Sequence, residues 1–300
     1  MTLLLLVSAI WAFSFGLNKG LGPLDPTAVA VLRLALSLAV FAPFFRPRGL
    51  SAAQAFRLAL VGAVQFGAMY VLYQRSYLHL HAYEVALFTI TTPILVALID
   101  AFVEKRWRAR FFAAAGLSVA GAGVVLWRSL GDSSILTGFA LVQLANLCFA
   151  GGQVGWRHER ARLPAGMSDA SVFALPYAGA LVLALAVSLV STPWHSFSAG
   201  PGQWATLAYL GVVASGLCFF LWNRGATQVN AGTLAVFNNA KIPLGVACSI
   251  LVFGERADLG RLLAGGALMA IGAVVAGRRS DATGEAPGNR PATASQPGVS

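Results

Sequence analysis

Residues 86–104 read ALFTITTPILVALIDAFVE, and residues 235–255 read AVFNNAKIPLGVACSILVFGE. The two stretches carry the same features in the same order: Ala86, Phe88, Pro93 and Glu104 in one, Ala235, Phe237, Pro243 and Glu255 in the other. Their offset is 149 residues at the alanines and 151 at the acids. A Gly-rich apolar run follows each acid, with Gly116, Gly121 and Gly123 after the first and Gly265, Gly266 and Gly272 after the second. Runs of about 20 mainly apolar residues are what a helix needs to cross a bilayer. The chain therefore reads as two copies of one membrane unit.

Working outward at the same standard gives ten spans, near 2–18, 27–45, 57–78, 83–103, 111–128, 135–156, 171–191, 203–223, 228–253 and 259–277. The connections are short and rich in Gly, Pro and Arg, so neighbouring spans run antiparallel. Five spans per copy is an odd number, so the second copy enters the membrane in the opposite sense. The expected fold is an all-α integral membrane protein, ten transmembrane helices forming two inverted five-helix repeats over 1–131 and 132–277. The remaining 278–300, where Gly, Pro, Ala, Ser and Thr replace any apolar period, reads as a disordered cytoplasmic tail. An inverted repeat makes two access states near mirror images and places a site at the repeat interface.

Composition supports the class. Of 300 residues, 57% are hydrophobic and 11% charged, against about 25% charged in soluble domains. That excludes an ordinary soluble enzyme, a disordered chain and a disulfide scaffold. The net charge of +10 is scattered between apolar runs, which does not make a nucleic-acid surface. Cys148, Cys218 and Cys248 lie inside apolar spans without CxxC spacing and read as packing residues. His79 and His81 are too few for a metal site. No dinucleotide fingerprint, P-loop or HExxH is present, so neither a cofactor nor an ATP-driven pump or membrane protease is implied. The charge-free opening from Met1 to Asn18 reads as the first span rather than a cleaved signal peptide.

The 21 Lys and Arg residues orient the chain. With the N-terminus inside, 14 fall on inner loops and 5 on outer ends, while Arg33 and Lys241 lie within spans. Such a bias places both termini in the cytoplasm, in a bacterial-type inner (plasma) membrane.

Several pieces then fall into a known order: Ile10-Trp11-Ala12-Phe13-Ser14-Phe15-Gly16, Val31-Leu32-Arg33-Leu34-Ala35, the two Phe…Pro segments, and Phe253-Gly254-Glu255-Arg256. Over about residues 3–277 the chain resembles the EamA-type carriers of the drug/metabolite transporter superfamily. The resemblance implies secondary transport of small metabolites by alternating access, often export of amino acids or related compounds. It also implies that spans five and ten sit on a scaffold or dimer side, which leaves a homodimer open. The chain departs from the family at Val103-Glu104-Lys105, where Gly-Glu is usual, and at Lys241 just before Pro243.

Polar side chains inside a bilayer face a bundle interior or a wet cavity. Lys241 lies mid-span, on one helical stripe with Asn238, Gly245 and Cys248. Pro243 frees carbonyls beside Asn238 and Asn239. A cationic anchor for a carboxylate or phosphate is one reading of Lys241; an ion pair with Glu84, or a neutral amine, is another. Tyr70 and Gln74 can line a pathway, whereas Tyr77 fits an interfacial aromatic belt better. Gln143, Asn146 and Gln153 share a stripe on span six and serve equally as interhelical hydrogen bonds or cavity lining. Trp11 shares a face with Ser14 and Asn18. Arg33 can snorkel outward or draw anions into the cavity mouth. Glu84 can cap its helix, pair with a cation or bind a coupling proton.

The expected function is a permease or exporter for a small polar metabolite, amino-acid-like or carboxylate-bearing. Its substrate site would be Lys241, Asn238, Asn239, Tyr70, Gln74, Trp11, Gln143, Asn146 and Arg33. Its partners would be that substrate, the lipid bilayer, and a coupling proton at Glu84 or a counter-substrate. A flippase for lipid-linked substrates is the alternative. An integral-membrane enzyme lacks clustered acids, histidines or a nucleophile at one depth.

Overall fold

Caps, rather than hydropathy, set where the helices begin. The computed structural model describes residues 2–103, 105, 109–126, 133–229 and 231–277. Glu104, the loop arginines Arg106, Arg108 and Arg128, and the tail from Arg278 lie outside the described residues. The helices are α1 (Thr2–Gly20), α2 (Pro26–Phe44), α3 (Ala52–Ser76), α4 (Ala82–Val103), α5 (Ala109–Leu126), α6 (Ser133–Ala161), α7 (Asp169–Ser191), α8 (Pro201–Ala226), α9 (Ala231–Leu251) and α10 (Leu259–Gly277). No strand occurs among the described residues. Seven of the helices, α1 to α4 and α6 to α8, are long and apolar enough to cross a membrane. Helices α5 and α10 hold shorter apolar stretches, Phe112–Val125 and Leu259–Val275. This is a multi-pass helical membrane protein.

Several helices run past the apolar windows because polar caps extend them. Ser51 and Gln54 form a reciprocal capping box that starts α3 five residues before the expected Arg57. Asp25 accepts from the Ala28 N–H at 2.8 Å, and Pro26 opens α2. At its far end α6 continues to Ala161, where Glu159 pairs with Arg57 and Arg162.

Three helices change pitch in mid-course. Ala63–Ala68 in α3 and Leu210–Leu217 in α8 are π-helical, a form usually confined to single turns at functional places. In α8 the Ser215 hydroxyl donates to the Leu210 carbonyl at 2.7 Å across this turn. Helix α4 tightens to a 3-10 turn at Thr89–Thr91, just before Pro93, whereas α9 runs on through Pro243.

Packing is close where glycine permits it. A Cβ at Gly121 of α5 would lie 2.6 Å from the Gly265 carbonyl of α10, and one at Gly265 would lie 2.5 Å from the Gly121 carbonyl. Helix α3 crosses α7 the same way through Gly62 and Gly179. Beyond this, α1 packs on α9 and α8, α4 on α6 and α9, α2 on α7 and α8, and α3 on α6 and α7.

The Phe253-Gly254-Glu255 segment has a definite task. Gly254 takes a φ of +68°, which a side chain would resist, and the turn sends Glu255 back across the bundle. Its carboxylate accepts from the Ala82 and Tyr83 N–H groups at 3.0 and 3.1 Å, tying the loop after α9 to the start of α4. Ser249 bonds the same carboxylate.

Candidate functional site

Between the helices lies a narrow cavity of about 70 Å³. One wall is α1, which presents Trp11, Ser14 and Asn18. Arg33 comes from α2, Tyr70 and Tyr73 from α3, and Thr89 and Thr92 from α4. Asn146 and Phe149 of α6, Phe219 of α8 and Lys241 of α9 complete the ring.

Lys241 is 8% exposed. Its Nζ donates to Asn238 Oδ1 at 3.1 Å and sits 5.0 Å from the Trp11 ring centroid, a cation–π distance. The expected alternative of an ion pair with Glu84 does not form. Glu84 lies at the start of α4, where its carboxylate accepts from the His81 N–H at 2.8 Å as a helix cap. No acidic side chain pairs with Lys241 among the described residues.

Arg33 is 2% exposed and does not snorkel. Its Nε donates to Ser215 Oγ at 3.0 Å, Nη1 to Asn18 Oδ1 at 2.5 Å and Nη2 to the Tyr70 hydroxyl at 2.8 Å. The guanidinium carbon also lies 4.5 Å from the Tyr70 ring centroid. One rigid fork thus joins α1, α2, α3 and the π-turn of α8, and all three of these acceptors are uncharged. Snorkelling loses because three neutral acceptors and the Tyr70 ring already replace the guanidinium's water.

A second polar layer lies deeper along α3, α6 and α8. Gln65 and Asn223, both 0% exposed, exchange two amide hydrogen bonds at 2.9 and 3.1 Å. Gln153 accepts from Trp222 Nε1 at 2.9 Å, and Trp222 packs against Trp11 with ring centroids 5.1 Å apart.

Of the expected site residues, Trp11, Arg33, Tyr70, Asn146 and Lys241 meet in this cavity. Asn238 stands behind Lys241 and Asn239 beside Asn238. Gln74 donates to Asn18 at 2.9 Å, supporting the Arg33 fork without lining the space. Gln143 bonds Thr91 Oγ1 at 2.7 Å. Together with Asn146, which donates to the Phe88 carbonyl at 2.9 Å, it satisfies the backbone left open by the 3-10 turn. Tyr77 does not sit in an aromatic belt. It is buried, its hydroxyl 2.7 Å from that of Tyr73, because α3 turns this face toward the bundle.

Ser215, Asn223, Trp222 and Phe219 were not among the expected residues. For three of them the repeat held a signal: an offset of 149 from Tyr70, Tyr73 and Gln74 lands on Phe219, Trp222 and Asn223.

The EamA-like transporter family model matches residues 1–127 and again 136–278. The chain belongs to the EamA-like transporter family. A protein of Pseudomonas aeruginosa described as a probable biotin transporter is 38% identical over 271 residues, covering 90% of this chain and 94% of that one. Biotin transporters of Escherichia coli K12 and Salmonella typhimurium are 38% and 37% identical, covering 85% and 90% of this chain and 86% and 90% of their own lengths. A solved crystal structure shares the fold with a TM-score of 0.62 at 20% identity, over 92% of this chain and 94% of that one. This EamA-like chain is thus a transporter of small molecules and not an enzyme.

Proposed function

We propose that this EamA-like chain is a secondary carrier that moves a small ring-bearing carboxylate of the biotin type across the inner membrane by alternating access. In this reading α1 to α10 all span the bilayer as two inverted repeats, residues 1–131 and 132–277, with both termini cytoplasmic. The family model's two matched segments support that division, and so do the packing partners. Exchanging α1 with α6, α2 with α7, α3 with α8, α4 with α9 and α5 with α10 turns each helix pair named under the fold into another of those pairs. The matching carbonyls of Phe88 and Phe237 each accept from the first helix of the opposite repeat, from Asn146 at 2.9 Å and Ser8 at 2.7 Å.

The observation that carries the substrate class is charge. Two buried basic side chains, Arg33 and Lys241, line one cavity that no carboxylate of the described residues lines. Buried charge is costly unless paired, so the missing partner is supplied by the cargo. Arg33 already holds three neutral acceptors, whereas Lys241 holds one, so Lys241 takes the carboxylate. Trp11, Phe149 and Phe219 offer flat apolar faces to the ring, and Asn146, Ser14 and Thr92 offer polar contacts. The relatives' description as biotin transporters fits a cargo of one carboxylate and one polar ring.

The test is uptake of labelled biotin into proteoliposomes. Saturable uptake above protein-free vesicles, displaced by excess biotin and not by its uncharged amide, is the expected result. Uptake no faster than in empty vesicles, or equal displacement by the amide, would overturn the reading.

A further inference from the structure

Arg33 and Lys241 differ in one chemical respect that the chamber makes consequential. A guanidinium keeps its charge throughout the accessible range, whereas an amine can surrender a proton. Both face the same cavity, both are buried, and neither has an anionic partner among the described residues. In an empty chamber a second buried cation without a counter-charge is an arrangement that a water-poor interior tolerates poorly.

Resting on the carboxylate reading above, we infer that the ε-amine of Lys241 is the proton-binding site that couples the transport cycle. It takes up one proton as the carboxylate enters and releases it as the carboxylate leaves. The charge count closes. Empty, the chamber holds Arg33 as its single positive charge. Loaded, it holds Arg33, the Lys241 ammonium and the carboxylate, again one positive charge in sum. The helices thus rearrange around the same charge in both halves of the cycle, and one proton moves with each anion. Asn238 Oδ1, 3.1 Å from Nζ, accepts an N–H from either form of the amine and keeps its lone pair or third proton turned to the cavity.

The surrounding elements leave this role to Lys241. Among the titratable groups, Tyr70 and Tyr73 on α3 are engaged with Arg33, Ser215 and Tyr77. Lys19 ends α1, donating to the Tyr77 and Leu80 carbonyls. On α4, Glu84 is a cap at the far end and Asp100 pairs with Arg157 of α6 at the other. On α10, Arg261 pairs with Asp258. Cys218 of α8 is buried and Cys248 of α9 is half-buried, and Glu255 beyond α9 is held by Ala82, Tyr83 and Ser249. None of these acids lines the chamber.

Two measurements test this with biotin as the probe. The first is calorimetry of biotin binding to the purified wild-type protein at pH 8 in buffers of different ionisation enthalpy, which reads protons taken up per biotin bound. The second is labelled biotin in proteoliposomes under three regimes: counterflow without gradients, a pH gradient, and a potassium-diffusion potential. The expected result is close to one proton per biotin, accumulation driven by the pH gradient and indifferent to the potential. Lys241→Arg should lose gradient-driven accumulation, measured relative to its own counterflow rate, by about tenfold or more, the equivalent of 1.4 kcal/mol. No proton uptake, accumulation that follows the potential, or a wild-type response in Lys241→Arg would overturn the coupling while counterflow keeps the carboxylate reading intact. Absence of counterflow in wild type would overturn both. Should Lys241→Arg fail to fold, the proton count on wild type decides alone.

Discussion

Gly151 and Gly152 are neighbours on α6, yet adding one methyl group to each should have opposite results. A Cβ on Gly152 would lie 2.1 Å from the Gln65 Cβ and 2.6 Å from its Cα, both fixed to the α3 backbone. Relieving that overlap means moving α6 from α3 by more than an ångström, since carbon atoms rest at about 3.5–4.0 Å. Overpacking of this kind costs about 1–3 kcal/mol. The shift also pulls Gln65 from Asn223 and Gln153 from Trp222, three interhelical hydrogen bonds worth about 0.6 kcal/mol each in a membrane. Against this stands a gain of about 1 kcal/mol from replacing glycine by alanine inside a helix. The net for Gly152→Ala is a loss of about 2–4 kcal/mol. A Cβ on Gly151 meets only Ile99 Cδ1 at 3.9 Å, so Gly151→Ala keeps the helix gain. Thermal unfolding in detergent, followed by fluorescence-detected size exclusion, should separate the two variants by at least about 5 °C, with Gly151→Ala at or above wild type. Equal melting temperatures would refute the claim that Gly152 marks the close crossing of α3 and α6.

Lys241→Met should weaken biotin binding by about 10–150-fold, the worth of about 1.5–3 kcal/mol for a hydrogen bond to a charged group, and leave binding of the uncharged amide unchanged; equilibrium binding of both ligands checks this. Arg33→Met should lower anion affinity with little change in melting temperature, because Asn18 keeps Gln74, Tyr70 keeps Ser215 and Ser215 keeps the Leu210 carbonyl, so none of the three acceptors is left without a partner. Glu255→Ala should lower the melting temperature by an amount equivalent to about 1–3 kcal/mol, since two α4 N–H groups lose their acceptor, with Glu255→Gln recovering part of it. Arg57→Ala removes a half-exposed ion pair with Glu159 and should change neither the melting temperature nor biotin uptake beyond experimental scatter.

Much of the helical plan was legible because crossing a bilayer demands a long run of apolar residues, and that demand is written locally. Lys241, Arg33, Trp11, Tyr70 and Asn146 stood out for the related reason that polar groups are rare in such runs. What the pattern could not reveal was which polar groups were already engaged. Gln74 and Gln143 look the same in sequence as Asn146, yet Gln74 supports Asn18 while Gln143 fastens the Thr91 turn. Tyr77 looked interfacial because it ends a span. Ser215 looked like an ordinary small residue and became an Arg33 partner only where the π-turn of α8 brings it across from α2.

The amino-acid order alone thus determined the membrane class, the apolar segments and the presence of two basic residues within spans, since each follows from hydration energy counted along the chain. Only the tertiary structure decided that Arg33 and Lys241 share one cavity without an acidic partner among the described residues, that three of Arg33's donors are met by Ser215, Asn18 and Tyr70, and that a layer of amides closes beside Trp11. Contacts between residues 158 positions apart, such as Gln65 and Asn223, depend on which helices pack together and at what rotation, and no local rule of hydropathy or helical period encodes that.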